Sequence, residues 1–155
     1  MNVLRRHVLK GAAGAGTVAI AVAVGLLRPT QALAAWNKDA FEAKNVSDAM
    51  KGLGVTGPAD SNEIVIKMPD IAENGAVVPV EVTSSIAGTT SIAIFAEKNG
   101  TPLVGNFNLL GGAQGYISTR IKVAQTSFIR TVVNAGGKSY TAAREVKVTV
   151  GGCGG

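Results

Sequence analysis

The only cysteine of the 155-residue chain, Cys153, lies next to the end of the sequence with a pair of glycines on each side. The four glycines are Gly151, Gly152, Gly154 and Gly155. A thiolate forms reversible bonds to another sulfur atom through oxidation and exchange. Glycine has no Cβ and adopts both signs of φ. The pattern therefore predicts a slender, flexible arm over residues 151–155 that holds one thiol away from the folded chain.

The surroundings of Cys153 in the sequence do not activate its thiol. No basic residue lies closer than Lys147, and an activated thiolate needs a neighbouring positive charge or a helix N-terminus. This favours a passive carrier whose partners supply metal, base and electrophile. The alternative is a frayed terminus with an incidental cysteine. An unpaired thiol in an oxidising compartment calls for an explanation, so the compartment decides between the two interpretations.

Residues 1–34 have the pattern of a removable twin-arginine export signal. A twin arginine precedes an uncharged stretch rich in Ala, Gly and Val at residues 11–27, and a small-x-small cleavage motif closes the segment. The residues that carry this prediction are Arg5, Arg6, Ala32 and Ala34. We expect export to a bacterial periplasm and no membrane segment after cleavage.

Removal of the leader changes what the composition implies. Four of the fifteen Lys and Arg residues lie in it, which leaves eleven against ten Asp and Glu. The near-neutral mature chain gives no support for nucleic-acid binding. The only histidine, His7, is also in the leader. A His/Cys metal site, a Ser-His-Asp triad or a Cys-His pair within the mature chain is therefore excluded, and we expect the chain to bind no cofactor.

Residues 35–150 are long enough for one domain with its own core. Helical spacing over residues 36–53, with Asn37 as the N-cap and Gly52 as the stop, predicts one N-terminal helix. Strand-like runs follow, with a loop or short turn at 71–75 and a Gly136-Gly137 turn. The predicted strands cover residues 63–68, 77–84, 90–97, 102–109, 115–124, 126–134 and 138–150.

The number and spacing of these strands predict an all-β fold, an immunoglobulin-like antiparallel β-sandwich of about seven strands. Val78, Val80 and Val82 share one face of their strand, and Pro79 on the other face indicates an edge or a bulge. Few charged and many small apolar residues in the mature chain are a weak sign of a permanent partner subunit.

These residues together resemble the SoxY family, the sulfur carriers of the periplasmic thiosulfate-oxidising (Sox) system. The most specific match is the terminal stretch 146–155, which reads VKVTVGGCGG. Residues 71–80 and 118–124 add support, whereas the loop at 110–113 matches less closely. With the twin-arginine leader, the resemblance covers essentially the whole chain.

The resemblance implies a fold, a set of partners and a role for Cys153. The family has an immunoglobulin-like fold and forms a heterodimer with a second β-sandwich subunit, SoxZ. Its carrier cysteine, here Cys153, is loaded with thiosulfate by the c-type cytochrome SoxAX to give an S-thiosulfonate. The hydrolase SoxB then releases sulfate and leaves a persulfide, which the sulfur dehydrogenase SoxCD oxidises in the systems that have it.

Two other functions are compatible with parts of the sequence. An exported immunoglobulin-like adhesion or binding module fits the strands and the leader, but it leaves the glycine-flanked cysteine incidental. A thiocarboxylate formed on the terminal Gly154-Gly155 needs ATP-dependent activation, which the periplasm lacks. Prenylation needs three residues after the cysteine, and only two follow Cys153.

Overall fold

The computed structural model describes residues 37–150. The leader, including Arg5, Arg6, Ala32 and Ala34, and the arm at 151–155 lie outside the described residues. The helices are α1 (Lys38–Glu42) and α2 (Val46–Gly52). The strands are β1 (Ala59–Asp60), β2 (Ile64–Lys67), β3 (Ile71–Asn74), β4 (Val78–Ser84), β5 (Thr89–Ala96), β6 (Leu103–Asn108), β7 (Tyr116–Ile121), β8 (Ser127–Ala135) and β9 (Lys138–Val150).

The strands of the described residues form two sheets, which confirms the predicted β-sandwich. The larger sheet has the strand order β1-β9-β8-β5-β6, and β3 pairs with β9 as well. The smaller sheet has the order β2-β4-β7. Neighbours are antiparallel except for β1 and β3, which both run parallel to β9.

The main core lies between the sheets, and the predicted inward faces supply it. Val78, Val80 and Val82 of β4 are fully buried, as are Ile92 and Ile94 of β5. On and after β7, every second residue is buried or half-buried and the residues between them are exposed: Ile117, Thr119, Ile121 and Val123. The period-two pattern of these strands therefore places one face of each in the core.

A second core lies on the other face of the larger sheet, where the helices pack. Ala40 and Ala49 from the helices meet Ala93 and Phe95 of β5 in this cluster. Strand β5 is thus buried on both faces, which explains why its second half is an unbroken apolar run. Met50 of α2 also packs against this cluster.

The prediction of one continuous helix over residues 36–53 is wrong, because the segment forms two short helices. Asn37 is the predicted N-cap of α1, and its Oδ1 accepts from the Ala40 N–H at 3.1 Å. Ala43 leaves helical geometry, and Asn45 starts a new helix by accepting from the Asp48 N–H at 2.9 Å. An Asn side chain competes with the helix for backbone groups in this way. Helix α2 ends at Gly52, as predicted.

The side chain of Asp48 in the first turn of α2 has a perturbed acidity. The hydrogen bond from the Asn45 amide, followed by the hydrogen bond and charge of Lys51, lowers the pKa of Asp48 below its usual value. This carboxylate is exposed, so it reinforces the start of a surface helix and has no place in a buried site.

Residues 71–75 do not form the predicted loop or short turn, because Ile71–Asn74 is strand β3. Its partner is the far end of β9, in the register Ile71↔Lys147 and Asn74↔Val150. A parallel pairing with a strand so distant in sequence has no local turn signal. Pro79 lies where β4 pairs only with β7, since β2 pairs with 81–84, so the predicted edge is confirmed and no bulge occurs there.

The turn between β8 and β9 forms as predicted. Gly136 and Gly137 have φ of 56° and 75°, the left-handed values that a two-residue hairpin turn of this kind needs. The turn sets the register that pairs β8 with β9 from Ala135↔Lys138 to Ser127↔Val146. Strand β9 therefore begins at a rigid hairpin and continues past the end of β8.

Candidate functional site

Cys153 and its flanking glycines follow the final residue of β9, so β9 is the element that positions the predicted site. Cys153, Gly151, Gly152, Gly154 and Gly155 all lie outside the described residues. The structure describes the strand that leads to them. We call residues 146–150 the root of the arm.

The backbone of the root is fixed from two sides. On one side, the Lys147 N–H donates to the Asp70 carbonyl at 2.9 Å, and Thr149 Oγ1 donates to the Glu73 carbonyl at 3.1 Å. On the other side, β8 has ended, and Thr126 Oγ1 accepts from the Val148 N–H at 3.0 Å. The strand therefore keeps hydrogen-bond partners until it reaches the glycines, although it extends beyond its hairpin partner.

Arg144 on β9 holds β3 alongside the root. Arg144 Nη1 donates to the Ile66 carbonyl at 3.1 Å, and Nη2 donates to Asp70 Oδ1 at 2.7 Å. The guanidinium thus joins the end of β2 to the residue before β3. Asp70 is mostly exposed, so the ion pair contributes little by itself, and its effect is to fix a geometry.

Strand β3 also contributes one residue to the main core. Ala72 is 6% exposed and packs in the cluster between the sheets, whereas Ile71 and Glu73 on either side of it face solvent. The Val123 N–H donates to the Gly75 carbonyl at 2.7 Å, which ties the end of β3 to the chain after β7. The root is therefore integrated with both sheets.

The described residues offer little reactive chemistry beside the root. Lys147 is exposed, as is Glu145. Within residues 37–150, no group of three or more His, Cys, Asp and Glu side chains could hold a metal ion. Across the same residues, no helix has the length and apolar character needed to cross a membrane. Any reaction at Cys153 thus has to be argued from the cysteine itself.

The sequence pattern indicates Cys153 and its glycines but not the residues that anchor the root. Thr126, Asp70 and Arg144 have no such signal, because their roles depend on a parallel strand pair that leaves no periodic pattern. The one signal available is the length of β9. A thirteen-residue strand extends beyond a nine-residue hairpin partner, so its last residues need hydrogen-bond partners from another segment.

A β-sandwich whose last strand leads into a single glycine-flanked cysteine defines a class of small all-β proteins with a terminal thiol. The family model for the sulfur oxidation protein SoxY matches residues 50–153, a range that ends at Cys153. The chain belongs to the SoxY family.

A solved structure supports this membership. The sulfur carrier protein SoxY from Chlorobium limicola f thiosulfatophilum is 46% identical, with a TM-score of 0.59 over 65% of this chain and 92% of that one. The superoxide reductase (neelaredoxin) from Ignicoccus hospitalis has a TM-score of 0.50 at 15% identity, over 56% of this chain and 80% of that chain, which shows the fold alone. Among curated proteins, no sequence matches the chain.

Proposed function

We propose that this chain is a covalent sulfur carrier of periplasmic thiosulfate oxidation, with Cys153 as the attachment site. The observation that carries the proposal is the match to the SoxY family up to Cys153, together with 46% identity to a protein described as a sulfur carrier. The chain is a substrate for enzymes and does no catalysis itself. Its single thiol and lack of histidine after the leader support this role.

The first step in the proposal is the loading of Cys153. The Cys153 thiolate and the sulfane sulfur of thiosulfate form an S–S bond, which gives Cys–S–S–SO₃⁻ and releases two electrons. A SoxAX-type c-type cytochrome accepts these electrons. The chain therefore needs no oxidant of its own.

The second step removes the terminal sulfone. Water attacks the sulfone sulfur of Cys–S–S–SO₃⁻ in a SoxB-type hydrolase, and the products are Cys–S–S⁻, sulfate and two protons. A SoxCD-type dehydrogenase oxidises the remaining sulfane sulfur in systems that have one. A SoxZ-like sandwich subunit is the proposed permanent partner.

The arm explains in physical terms how one thiol serves several enzymes. Cys153 is the third residue after Val150, so the stretch between them spans at most about 10 Å. Gly151, Gly152, Gly154 and Gly155 keep the arm narrow and free of preferred φ values. The twin-arginine leader carries the protein to the periplasm, where Arg5 and Arg6 are the export signal and cleavage follows Ala34.

The test compares Cys153→Ser with the parent chain in a reaction containing thiosulfate and the loading cytochrome. We expect the variant to fold with an unchanged Tm and to accept no sulfur adduct, measured by intact mass. Thr149→Ser, which keeps the hydroxyl of the root, is the matched control and should load like the parent. Adduct formation on the Cys153→Ser variant at the parent's rate would contradict the proposal.

A further inference from the structure

Two adjoining cavities lie at the open side of the sandwich. The first, of about 340 Å³, lies between the edge strands β6 and β7, and buried Leu103 and Ile121 line it. Arg120 and Lys122 line the same cavity. The second, of about 440 Å³, shares Lys122 with the first and adds Lys44. We call the two cavities together the cationic hollow.

The charge of the cationic hollow has one sign. Lys44, Arg120 and Lys122 line it, and no carboxylate does. The ion pairs found within residues 37–150 use other cations, those of Lys38, Lys51, Arg130 and Arg144. Three uncompensated positive charges around one concave surface concentrate a positive potential there, which attracts a small anion.

Asn99 fixes the backbone that borders the hollow. Its Nδ2 donates to the Lys122 carbonyl at 2.8 Å, and its Oδ1 accepts from the Ala124 N–H at 2.9 Å. The loop before β6 is thereby joined to the chain that follows β7. Thr101 lines both cavities and offers a hydroxyl donor. A preformed set of donors loses less entropy on binding than a mobile set.

The hollow lies at the end of the sandwich where β9 ends. Val150 pairs with Asn74, and the next residue, Gly75, accepts the Val123 N–H at 2.7 Å. Lys122 precedes Val123 directly. Neighbouring strands are about 4.8 Å apart, so the two steps from Val150 to Val123 come to about the 10 Å that the arm spans to Cys153. A group carried on Cys153 is therefore within reach of this end of β7.

We infer that the cationic hollow binds a small oxyanion of sulfur, either free thiosulfate or the sulfonate end of an adduct on Cys153. The positive rim suits the sulfonate oxygens, and the apolar floor suits the weakly hydrated sulfane sulfur. The choice of a sulfur oxyanion among small anions rests on the proposed function, whereas the binding of an anion rests on the hollow itself.

The first arm of the test uses free thiosulfate. Cys153→Ser protein is titrated at constant ionic strength, and the amide NMR shifts of Thr101, Lys122 and Val123 are followed. We expect saturable shifts that weaken about ten-fold in an added Arg120→Gln/Lys122→Gln pair, because each loses a charge-assisted hydrogen bond. The control pair Lys67→Gln/Lys138→Gln removes the same net charge outside the hollow and should bind like the parent.

The second arm uses an adduct made without any partner enzyme. Tetrathionate and the Cys153 thiolate exchange to give Cys–S–S–SO₃⁻ and thiosulfate, so the electrons balance, and intact mass confirms the loading. Shifts at Lys122 that appear only in the loaded parent assign the hollow to the adduct. Shifts in the first arm assign it to the free ion as well.

Three results would overturn the inference. The first is the absence of amide shifts in the hollow in both arms of the test. The second is thiosulfate-induced shifts that persist undiminished in the Arg120→Gln/Lys122→Gln pair. The third is a loss of thiosulfate binding in the control pair equal to that in the Arg120→Gln/Lys122→Gln pair. A protein that is loaded according to its mass, with no shift in the hollow in either arm, removes this site and leaves the carrier proposal intact. Failure of the anion site and failure of the carrier proposal are therefore distinguishable.

Discussion

Two threonines on neighbouring strands of the larger sheet are both buried, but only one of their hydroxyls is satisfied. Thr141 Oγ1 donates to the Thr131 carbonyl at 2.9 Å. Thr131 is fully buried, and its own Oγ1 has no hydrogen-bond partner within the described residues. A buried hydroxyl without a partner loses its hydration and gains nothing in return. The two positions thus give a matched pair for measuring what a buried hydroxyl is worth in this core.

Replacement of Thr131 by Val should stabilise the protein. We expect Thr131→Val to raise the free energy of unfolding by about 1 kcal/mol, because a methyl group replaces an unsatisfied hydroxyl of similar size. Thr141→Val is the matched control and should lower it by about 1 kcal/mol, because it removes a formed hydrogen bond. Urea denaturation with an unchanged slope measures both. A less stable Thr131→Val variant would mean that this hydroxyl has a partner in solution.

At the scale of elements, the root of the arm depends on β3, a strand that no local sequence pattern predicts. Strand β3 extends the larger sheet alongside the last residues of β9, where β8 no longer reaches. Thr126 completes the hydrogen bonds on the opposite side. A carrier arm needs a fixed starting point as well as flexible residues. A frayed β9 would lengthen the tether and lower the effective concentration of the thiol at its target.

Thr126, which contacts the root, and Thr149, which belongs to it, should differ in how much they stabilise it. Thr126→Val leaves the partly buried Val148 N–H without a partner, and we expect about 1 to 2 kcal/mol less local stability there. Hydrogen exchange of the Val148 amide should then be roughly ten-fold faster. Thr149→Val removes a bond to the exposed Glu73, whose carbonyl water can hydrate, so its effect should be smaller. Equal protection of Val148 in all three proteins would contradict this account.

The sequence was a good guide to elements whose signals are local. Alternating valines predicted β4, and the Gly136-Gly137 pair predicted the hairpin into β9. The break between α1 and α2 was missed, although Asn45 is a good N-cap residue, because the apolar spacing continues across it. Strand β3 was missed because its partner in β9 is more than seventy residues away and no period reports such a pairing.

At the scale of the whole molecule, the larger sheet is covered on both sides, by the smaller sheet on one face and the helices on the other. This arrangement accounts for the continuous apolar run in the second half of β5. The sandwich is the base from which β9 leads to the arm. Cys153, its glycines and the leader are predicted from linear motifs that need no tertiary contact, and they lie outside the described residues.

The most direct test of the carrier proposal is mass spectrometry of the protein taken from the periplasm of cells that are oxidising thiosulfate. Tryptic cleavage after Lys147 isolates residues 148–155, which contain Cys153 and no other cysteine. The proposal predicts this peptide with added sulfane sulfur or an S-thiosulfonate, and with neither in cells given no sulfur compound. A peptide that carries only a free thiol throughout active thiosulfate oxidation would contradict it.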